Sequence, residues 1–537
     1  MSIMQVQRIS STFPRSLPVT NRISQIRISS LSPTLPSIFN PSLYHNYRLV
    51  HTLLQPHLDL KYVRDNIQYI EHNIQQRKSP GDAQLVRTLY DEYGQLQAQV
   101  DNIRHERNKL SSSTTLSLSE KQVLGKDLKI KLTNIEEKIK IIKQQLDHAA
   151  LQLPCDTHPD APIGPEANAK EILTINTLPT YDNFFPKDHV SLANYLQIAD
   201  FEAGALISGA GFSVLKNDGV LLEFALVQYA LQKIIQAGFT PILPPDLAQL
   251  SLIEACGFNP RDTSNTVLSQ VYSINNSPLG LIGTAEIPLA GLHAGQLMEA
   301  TALPRLYGGY SHCFRHEAGG GGIATRGLYR LHQFSKVEMF AFIAPDADAS
   351  SFLQNIQEPQ LIKALIHQPT LHTNQATQKT SKTHNGPISP SLASEIMFAR
   401  IVDLQISIVK ELGLHARVLD MPTEELGASA YRKVDIEAWM PGRRKIGANE
   451  TERLGTFGEI TSASNCLDYQ SRRLNIRYRA GQKDNRFIHT LNGTAAAIPR
   501  LIIAILETHQ QKNGTVKIPE CLQKFMGKAI LEPPIKK

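Results

Sequence analysis

The chain has 537 residues, of which 42% are hydrophobic and 19% charged, and its formal net charge is +6. This length is too great for one ordinary domain, and the composition is typical of a globular protein with a large core. No apolar run approaches the roughly 18 residues of a membrane-spanning helix, so we expect no membrane association. The five cysteines form no Cys-x-x-Cys pair, which argues against a disulfide framework and against structural zinc.

The first 58 residues contain no lysine and no carboxylate, and their five arginines are Arg8, Arg15, Arg22, Arg27 and Arg48. Without these five charges the rest of the chain has a net charge near +1. An acid-free beginning rich in arginine and serine is typical of a mitochondrial transit peptide. We therefore predict that residues 1–58 are a transit peptide or disordered, and that the protein resides in the mitochondrial matrix. The alternative is a disordered basic tail.

Residues 59–155 show heptad spacing in two runs, separated by the short connector "SSSTTLSLS". The apolar positions are Leu89, Tyr93, Leu96, Val100, Ile103 and Leu110, then Leu128, Leu132, Ile135, Ile139, Ile142, Leu146 and Ala149. This spacing predicts a long antiparallel coiled-coil hairpin. Arg107 also falls in the seam, and we expect it to lie near solvent. Lysines crowd the second run, which fits either nucleic-acid contact or a solvated helical face.

From residue 156 to residue 537 the composition is that of a mixed α/β body. Two stretches interrupt it. Residues 358–393 are rich in Thr, Gln, Asn and Pro, and we predict a surface insertion that is largely disordered. Residues 442–458 form a second, shorter predicted insertion.

The segment "FRHEAGGGGIATRGLYRLHQF", residues 314–334, places charged residues on both sides of a glycine loop. On a strand, Arg315 and Glu317 would share one face. The returning segment brings Arg326, Arg330 and Phe334. Arginine forks bind phosphate or carboxylate bidentately, and a phenylalanine ring can stack on adenine. The pattern favours a nucleotide held between two antiparallel strands. The alternative is a glycine hairpin with surface ion pairs.

Six motifs extend this reading, and they occur in the following order: "GFTPILPPDL" (238–247), "LIGTAEIPL" (281–289), "FRHEAGGGGIATRGLYRLHQFSKVEMF" (314–340), "VDIEAWMP" (434–441), "GEITSASNCLDYQSRRLNIRYR" (458–479) and "HTLNGTAAAIPR" (489–500). Together they closely resemble the bacterial-type seryl-tRNA synthetases, over about residues 59–528. The resemblance implies an α+β fold, in which a class II antiparallel sheet is flanked by helices and preceded by the coiled-coil hairpin. The predicted transit peptide points to the organellar type.

The resemblance also implies roles for individual residues. The serine-binding residues would be Thr284, Ala285, Glu286, Arg315, Glu338 and Thr494. The ATP-binding residues would be Arg315, His316, Glu317, Arg330, Leu331, Phe334, Glu459, Ile460, Thr461, Ser462 and Arg500. Glu459 would also bind the Mg²⁺ that accompanies ATP. Pro244 would lie in the motif that forms a homodimer.

The implied activity is ATP-dependent activation of L-serine to seryl-adenylate, followed by transfer to tRNA(Ser), for mitochondrial translation. Two departures from the family pattern concern the neighbourhood of Gly211, where an arginine is usual, and Pro154-Cys155, where "PN" is usual.

Two other functional classes are possible. A catalytically inactive relative that only binds tRNA would typically lack the paired arginines or the "TAE" acid, which are present here. A ligase that loads a carrier protein would be expected to lack the long hairpin.

Overall fold

The structure is a computed structural model and describes residues 56–181, 184–258, 271–316, 326–348, 350–366, 391–443 and 455–534. The predicted transit peptide lies outside these ranges except for its last three residues. Within the described ranges, no helix is long and apolar enough to cross a membrane.

A helical hairpin begins the described part of the chain. Its helices are α1 (Leu60–Asp65), α2 (Ile67–Arg77), α3 (Ala83–Ser112) and α4 (Leu118–Leu151). Helices α3 and α4 have 30 and 34 residues and are joined by residues 113–117. Ser117 begins α4 with a capping box, because its hydroxyl accepts from the Glu120 amide while the Glu120 carboxylate accepts from the Ser117 amide. The tight reversal makes the two long helices antiparallel.

The predicted seam packs α3 against α4. Val100 and Leu146 are among its most buried members, with exposed fractions of 2% and 0%. Nearer the tip of the hairpin the seam residues are only half-buried, because two helices alone cannot enclose a side chain there. Arg107 is exposed, as expected. The antiparallel coiled-coil hairpin is confirmed.

The body follows the hairpin. Its helices are α5 (His189–Leu196), α6 (Phe201–Ser208), α7 (Asp218–Gln236), α8 (Leu250–Ala255), α9 (Glu286–Gly291), α10 (Ser350–Leu353), α11 (Pro359–Leu365), α12 (Leu392–Glu411), α13 (Tyr469–Leu474), α14 (Ile498–Thr508) and α15 (Glu520–Met526). Its strands are β1 (Lys170–Ile175), β2 (Ala199–Asp200), β3 (Val214–Leu215), β4 (Thr240–Ile242), β5 (Leu247–Gln249), β6 (Leu279–Leu281), β7 (Leu297–Glu299), β8 (Arg305–Phe314), β9 (Gln333–Ile343), β10 (Ala416–Asp420), β11 (Arg432–Met440), β12 (Thr456–Asn465), β13 (Arg477–Gly481), β14 (Asp484–Phe487), β15 (His489–Ala497), β16 (Val516–Lys517) and β17 (Ile530–Leu531).

Eight of these strands form the central sheet, in the order β1-β10-β11-β12-β15-β9-β8-β4. Neighbouring strands are antiparallel except β4, which runs parallel to β8 at one edge. Helices cover the sheet, so the predicted α+β class, an antiparallel class II sheet flanked by helices, is confirmed.

Strand β9 shows how the two faces of the sheet differ. Val337, Met339, Ala341 and Ile343 pack into the larger hydrophobic core, together with α7, α12 and α14. Phe340 and Phe342 point to the opposite face, into a second core with α8 and α9. Because side chains alternate along a strand, Lys336 and Glu338 share the face of Phe340.

Two central strands contain a β-bulge. The pairing of β15 with β9 shifts between Thr494 and Ala496, and the pairing of β12 with β11 shifts between Thr461 and Glu459. Each bulge adds one residue to its strand and changes which later side chains reach a given face.

The predicted insertion at 358–393 is wrong at its beginning. Residues Pro359–Leu365 form α11, and Leu361 and Leu365 are fully buried in the larger core. The apolar spacing of "LIKALI" explains this packing, which the polar composition of the remainder obscured. Residues 367–390 lie outside the described residues, as do residues 444–454 of the second predicted insertion.

Candidate active site

A cavity of about 520 Å³ opens on the face of the sheet that carries Lys336 and Glu338. Most of the residues singled out in the sequence line it, namely Thr284, Glu286, Arg315, His316, Arg330, Leu331, Phe334, Glu338, Glu459, Ile460, Thr461, Ser462, Thr494 and Arg500. These residues come from segments that are far apart in the chain, so the sheet is what brings them together.

Two described residues from the sequence-based set do not line the cavity. Ala285 is fully buried beside it, and Pro244 is buried elsewhere, just after β4. Glu317 lies outside the described residues.

Arg315 stands where β8 ends and the chain leaves the sheet. The strand ends at Phe314, which pairs with Gln333, and the Arg315 amide still donates to the His332 carbonyl at 3.0 Å. Glu317, which is expected to share a face with Arg315, lies outside the described residues. The guanidinium carbon of Arg315 lies 5.4 Å from the centroid of the Phe334 ring, and its Nε donates to the Gly283 carbonyl at 3.3 Å. Arginine and phenylalanine thus form one corner of the cavity.

The segment that returns towards β9 contributes Leu328, Tyr329, Arg330 and Leu331 to the lining. Arg326 has a different role, because its Nη2 lies 2.6 Å from the Asp188 carboxylate and it does not line the cavity. The ion pair of Glu338 is with Lys336, on the same strand.

Four polar side chains form the floor at one end of the cavity. Lys336 forms an ion pair with Glu338, and its Nζ donates to the Thr284 hydroxyl at 2.8 Å. The Thr494 hydroxyl donates to Glu338 Oε2 at 3.1 Å. These side chains are all buried, and a buried charge is tolerated only when it is paired and hydrogen-bonded. The pairing register of β15 with β9 brings these side chains together, because it places Thr494 directly opposite Glu338.

Glu286, the first residue of α9, is the second buried carboxylate of the floor. Gln470 and Asn492 donate to its Oε1 at 2.6 and 2.9 Å. Burial, followed by the negative charge of Glu338, raises the pKa of Glu286 to about 7. A cationic ligand placed here would favour the ionised form, and this end of the cavity therefore suits an ammonium group.

The opposite end is formed by Arg500 and Glu459. Arg500 Nη1 donates to the Glu459 carboxylate at 3.0 Å, and its guanidinium carbon lies 4.8 Å from the Tyr329 ring centroid. Burial opposes ionisation of Glu459, but the charges of Arg500 and Lys433 prevail and hold its pKa at about 2. Glu459 is consequently an anion, and its side chain is 39% exposed.

The Glu459 carboxylate therefore fits a magnesium ion that arrives with a polyphosphate. Magnesium prefers one or two carboxylate ligands together with phosphate oxygens and water. Glu459 Oε1 has no hydrogen-bond partner among the described residues, so one oxygen remains available.

The bulged part of β12 completes this wall. The Thr461 hydroxyl donates to the Thr494 carbonyl and accepts from Gln405 Nε2 at 2.8 Å. Gln405 also donates to the carbonyls of Ser462 and Thr494, at 2.8 and 2.9 Å. One glutamine from α12 thus fixes both bulged strands behind the cavity.

Sequence reasoning missed several residues of the site. Lys336 lies two positions before Glu338 on a strand, and this spacing could have indicated it. Gln470, Asn492 and Gln405 carry no such indication, because neutral amides are common and their partners are 56 to 206 residues away.

Comparisons with known proteins agree on one family. The protein-family model described as tRNA synthetase class II core domain (G, H, P, S and T) matches residues 270–509. The model of the seryl-tRNA synthetase N-terminal domain matches residues 58–155.

Individual relatives cover most of the chain. A serine–tRNA ligase of Treponema denticola is 39% identical over 476 residues, which are 88% of this chain and 99% of the relative. A serine–tRNA ligase of Rubrobacter xylanophilus is 36% identical and covers 89% and 99% of the two chains. Among solved structures, seryl-tRNA synthetase from Pyrococcus horikoshii complexed with ATP matches with a TM-score of 0.73 and 30% identity, over 89% of this chain and 100% of that chain.

The raised pKa of Glu286 predicts a pH-dependent stability. Between its ordinary pKa of 4.5 and about 7, the folded protein binds more protons than the unfolded chain, so stability falls as pH rises through this window. The shift corresponds to ~3 kcal/mol at most. Glu286→Gln resembles the protonated acid and removes this dependence. Urea unfolding at a series of pH values should show that the free energy of unfolding of the variant increases relative to that of the wild type as pH rises. A constant difference between the two proteins would contradict the assignment.

Proposed function

Because this chain belongs to the seryl-tRNA synthetase family, the serine–tRNA ligases of class II, we propose that its cavity joins L-serine to ATP as seryl-adenylate and then transfers the serine to tRNA(Ser). The observation that carries this proposal is the polarity of the cavity. Two buried carboxylates and two threonines lie at one end, whereas Arg500 lies at the other, with Arg315 as a corner of the lining. One end suits a small amino acid and the other a polyphosphate.

At the serine end, Glu286 and Thr284 bind the ammonium group. Glu338 and Thr494 face the side-chain hydroxyl, and Lys336 offsets the charge of Glu338. Arg315 binds the serine carboxylate together with the α-phosphate of ATP, so that one guanidinium holds both reacting groups. Ala285 would contribute through its position in the buried "TAE" turn.

At the ATP end, Phe334 stacks on adenine and Arg500 binds the γ-phosphate. Arg330, Leu331, His316 and the strand segment 459–462 line the remainder of this end, and Glu317 is proposed to contact adenine. Glu459 would hold Mg²⁺, which supplies neutralisation of phosphate charge when it is bound with ATP.

The chemistry requires positioning more than proton transfer. A serine carboxylate oxygen attacks the α-phosphorus, and the bond from that phosphorus to pyrophosphate breaks. A terminal hydroxyl of tRNA then attacks the carbonyl carbon, and AMP leaves with the bonding electron pair. Both partners in the first step are anions, so arginines that bind and orient them supply most of the catalysis.

The hairpin is proposed to bind the tRNA. The lysines of α4 that stand out from the seam are Lys126, Lys129, Lys131, Lys138 and Lys140, and all are exposed. Lys143 differs, because it pairs with Asp147. Exposed lysines along a projecting helix suit contact with a phosphate backbone.

We propose a homodimer, and large apolar side chains on the surface support it, one of which, Leu243, directly precedes Pro244 in the chain. Leu206, Leu243 and Ile207 have exposed fractions of 88%, 79% and 73%. Exposure of large apolar residues to this degree, at two adjacent positions and at Leu243, favours an interaction surface. A Leu243→Asp change should shift the protein from dimer to monomer in sedimentation velocity.

Mitochondrial residence is proposed from the composition of residues 1–58. The match to the family begins at residue 58, so the acid-free segment lies outside it. Import of a fluorescent protein fused to residues 1–58 into isolated mitochondria tests this proposal.

The test of the activation site is Arg315→Ala. This change removes the charge-assisted contacts to phosphate and carboxylate together, and serine-dependent ATP–pyrophosphate exchange should fall by at least roughly 100-fold. Arg326→Ala is the matched control, because Arg326 pairs with Asp188 outside the cavity. Exchange that is nearly normal in the Arg315 variant would reject the assigned site.

The discrimination of serine from alanine tests Glu338. Alanine leaves Glu338 and Thr494 without the hydroxyl they face, which costs about 1–3 kcal/mol per unpaired group. Sites of this kind reject the analogue that lacks the hydroxyl by on the order of 10⁴–10⁵. We expect Glu338→Ala to lose serine activation much more than alanine activation, so that their kcat/KM ratio collapses.

If Glu338 only balances the charge of Lys336, both amino acids should lose activity by a similar factor and the melting temperature should fall. An unchanged serine-to-alanine ratio would remove Glu338 from the substrate site. Glu338→Gln, which keeps a hydrogen-bonding group of the same shape, is the control variant.

Deletion of about residues 88–146 tests the division of tasks between hairpin and body. Serine activation should remain largely intact because the cavity is formed by other residues, whereas charging of tRNA(Ser) should be strongly impaired. Charging by the wild type should also weaken as salt rises. Equal loss of both activities would show instead that the distal hairpin supports the catalytic fold.

A further inference from the structure

A buried arginine joins the base of the hairpin to one wall of the cavity. Arg77, the last residue of α2, is 5% exposed. Its Nη2 donates to the Gly427 carbonyl at 2.5 Å, and its Nη1 donates to the Ala430 carbonyl at 2.9 Å. Gly427 and Ala430, with Glu425 and Ser429, line the cavity. We refer to residues 425–430 as the wall segment.

The same guanidinium also holds the end of the hairpin. Its Nη1 donates to the Cys155 carbonyl at 3.0 Å and to the Thr157 hydroxyl at 3.2 Å. Asn73, one turn earlier on α2, donates to the same Cys155 carbonyl at 3.0 Å. Three segments therefore meet at one side chain, namely α2, the exit of the hairpin and the wall segment.

Besides the contacts of Arg77, the wall segment has, after Leu426, two backbone hydrogen bonds, from the Ala430 amide to the Gly427 carbonyl at 3.0 Å and from the Cys155 amide to the Ala428 carbonyl at 2.8 Å. It lies between the short 3₁₀ turn Thr423–Glu425 and β11, and its side chains after Leu426 are small. Arginine presents several N–H groups in one rigid plane, so it can fix two carbonyls at once. Burial of the charge is costly unless these hydrogen bonds form, and this cost disfavours any movement that breaks them.

The wall segment is also linked to the buried floor of the cavity through neighbouring side chains. Ser429 lies beside Cys466, because its side chain opposes the rise in the pKa of the Cys466 thiol that burial causes. The Cys466 sulfur accepts from Asn492 at 3.6 Å, and Asn492 donates to Glu286 at 2.9 Å. A displacement of Ser429 would therefore disturb Cys466 and, through it, Asn492, which is a direct hydrogen-bond partner of Glu286.

We propose that Arg77 is a positioning residue for the Glu286 end of the cavity, so that the base of the hairpin is a functional part of the active site. The inference rests on the proposed function, in which Glu286 binds the serine ammonium group. Arg77 touches no substrate, and it acts through the wall segment. Its loss should weaken serine binding while leaving the ATP end, formed by Arg500 and Glu459, nearly unchanged.

The experiment measures ATP–pyrophosphate exchange without tRNA for Arg77→Met, Arg77→Lys and the control Lys78→Met. Lys78 is the adjacent residue, its Nζ lies 2.7 Å from Glu424, and its side chain is 72% exposed. For Arg77→Met, KM for serine should rise on the order of 10- to 100-fold with little change in KM for ATP. Arg77→Lys should recover part of the loss, and Lys78→Met should match the wild type.

The inference fails if KM for serine is unchanged, or if only kcat and the melting temperature fall. Absence of serine-dependent exchange in the wild type would instead reject the proposed function itself. Hydrogen exchange supplies a second readout, in which Arg77→Lys should speed exchange of the amides of residues 423–431 selectively. A uniform increase across the central sheet would overturn the inference, and this readout remains decisive if Arg77→Met does not fold.

Discussion

A buried carboxylate loses its water, and a second carboxylate nearby repels it, so two of them under one cavity need close compensation. Here Lys336 and Thr494 compensate Glu338, whereas Gln470 and Asn492 compensate Glu286. The compensating groups come from β9, β15 and α13, which the central sheet and its covering helices hold in place. The floor of the cavity thus depends on the strands and helices that also form the sheet and its covering layers.

The polarity of the cavity follows from this arrangement. Its floor is acidic at one end, with a carboxyl group of raised pKa that a cation would ionise. At the other end Arg500 is preoriented by Glu459 and by the face of Tyr329. The two ends of the cavity therefore differ in charge, because buried carboxyl groups lie at one end and an arginine paired with a carboxylate lies at the other.

Features that obey a local rule could be predicted from the sequence, and features set by distant contacts could not. The seam of α3 and α4 follows from spacing along each helix, and even the exposure of Arg107 could be anticipated. The resemblance to a family named most of the residues that line the cavity in the structure. Gln470 was missed because 184 residues separate it from Glu286. The burial of α11 was hidden by the polar stretch that follows it.

The bulge in β15 has a consequence for how the chain can vary. In a regular strand, side chains alternate, so the next residue after Thr494 to face the cavity would be Ala496. Because of the bulge, it is instead Ala497, which pairs with Lys336. The extra residue shifts by one position which of the following side chains face the cavity, up to Arg500. Gain or loss of one residue between Thr494 and Arg500 would change the direction in which Arg500 points relative to the floor of the cavity. Substitutions in this stretch should therefore be far better tolerated than changes in its length.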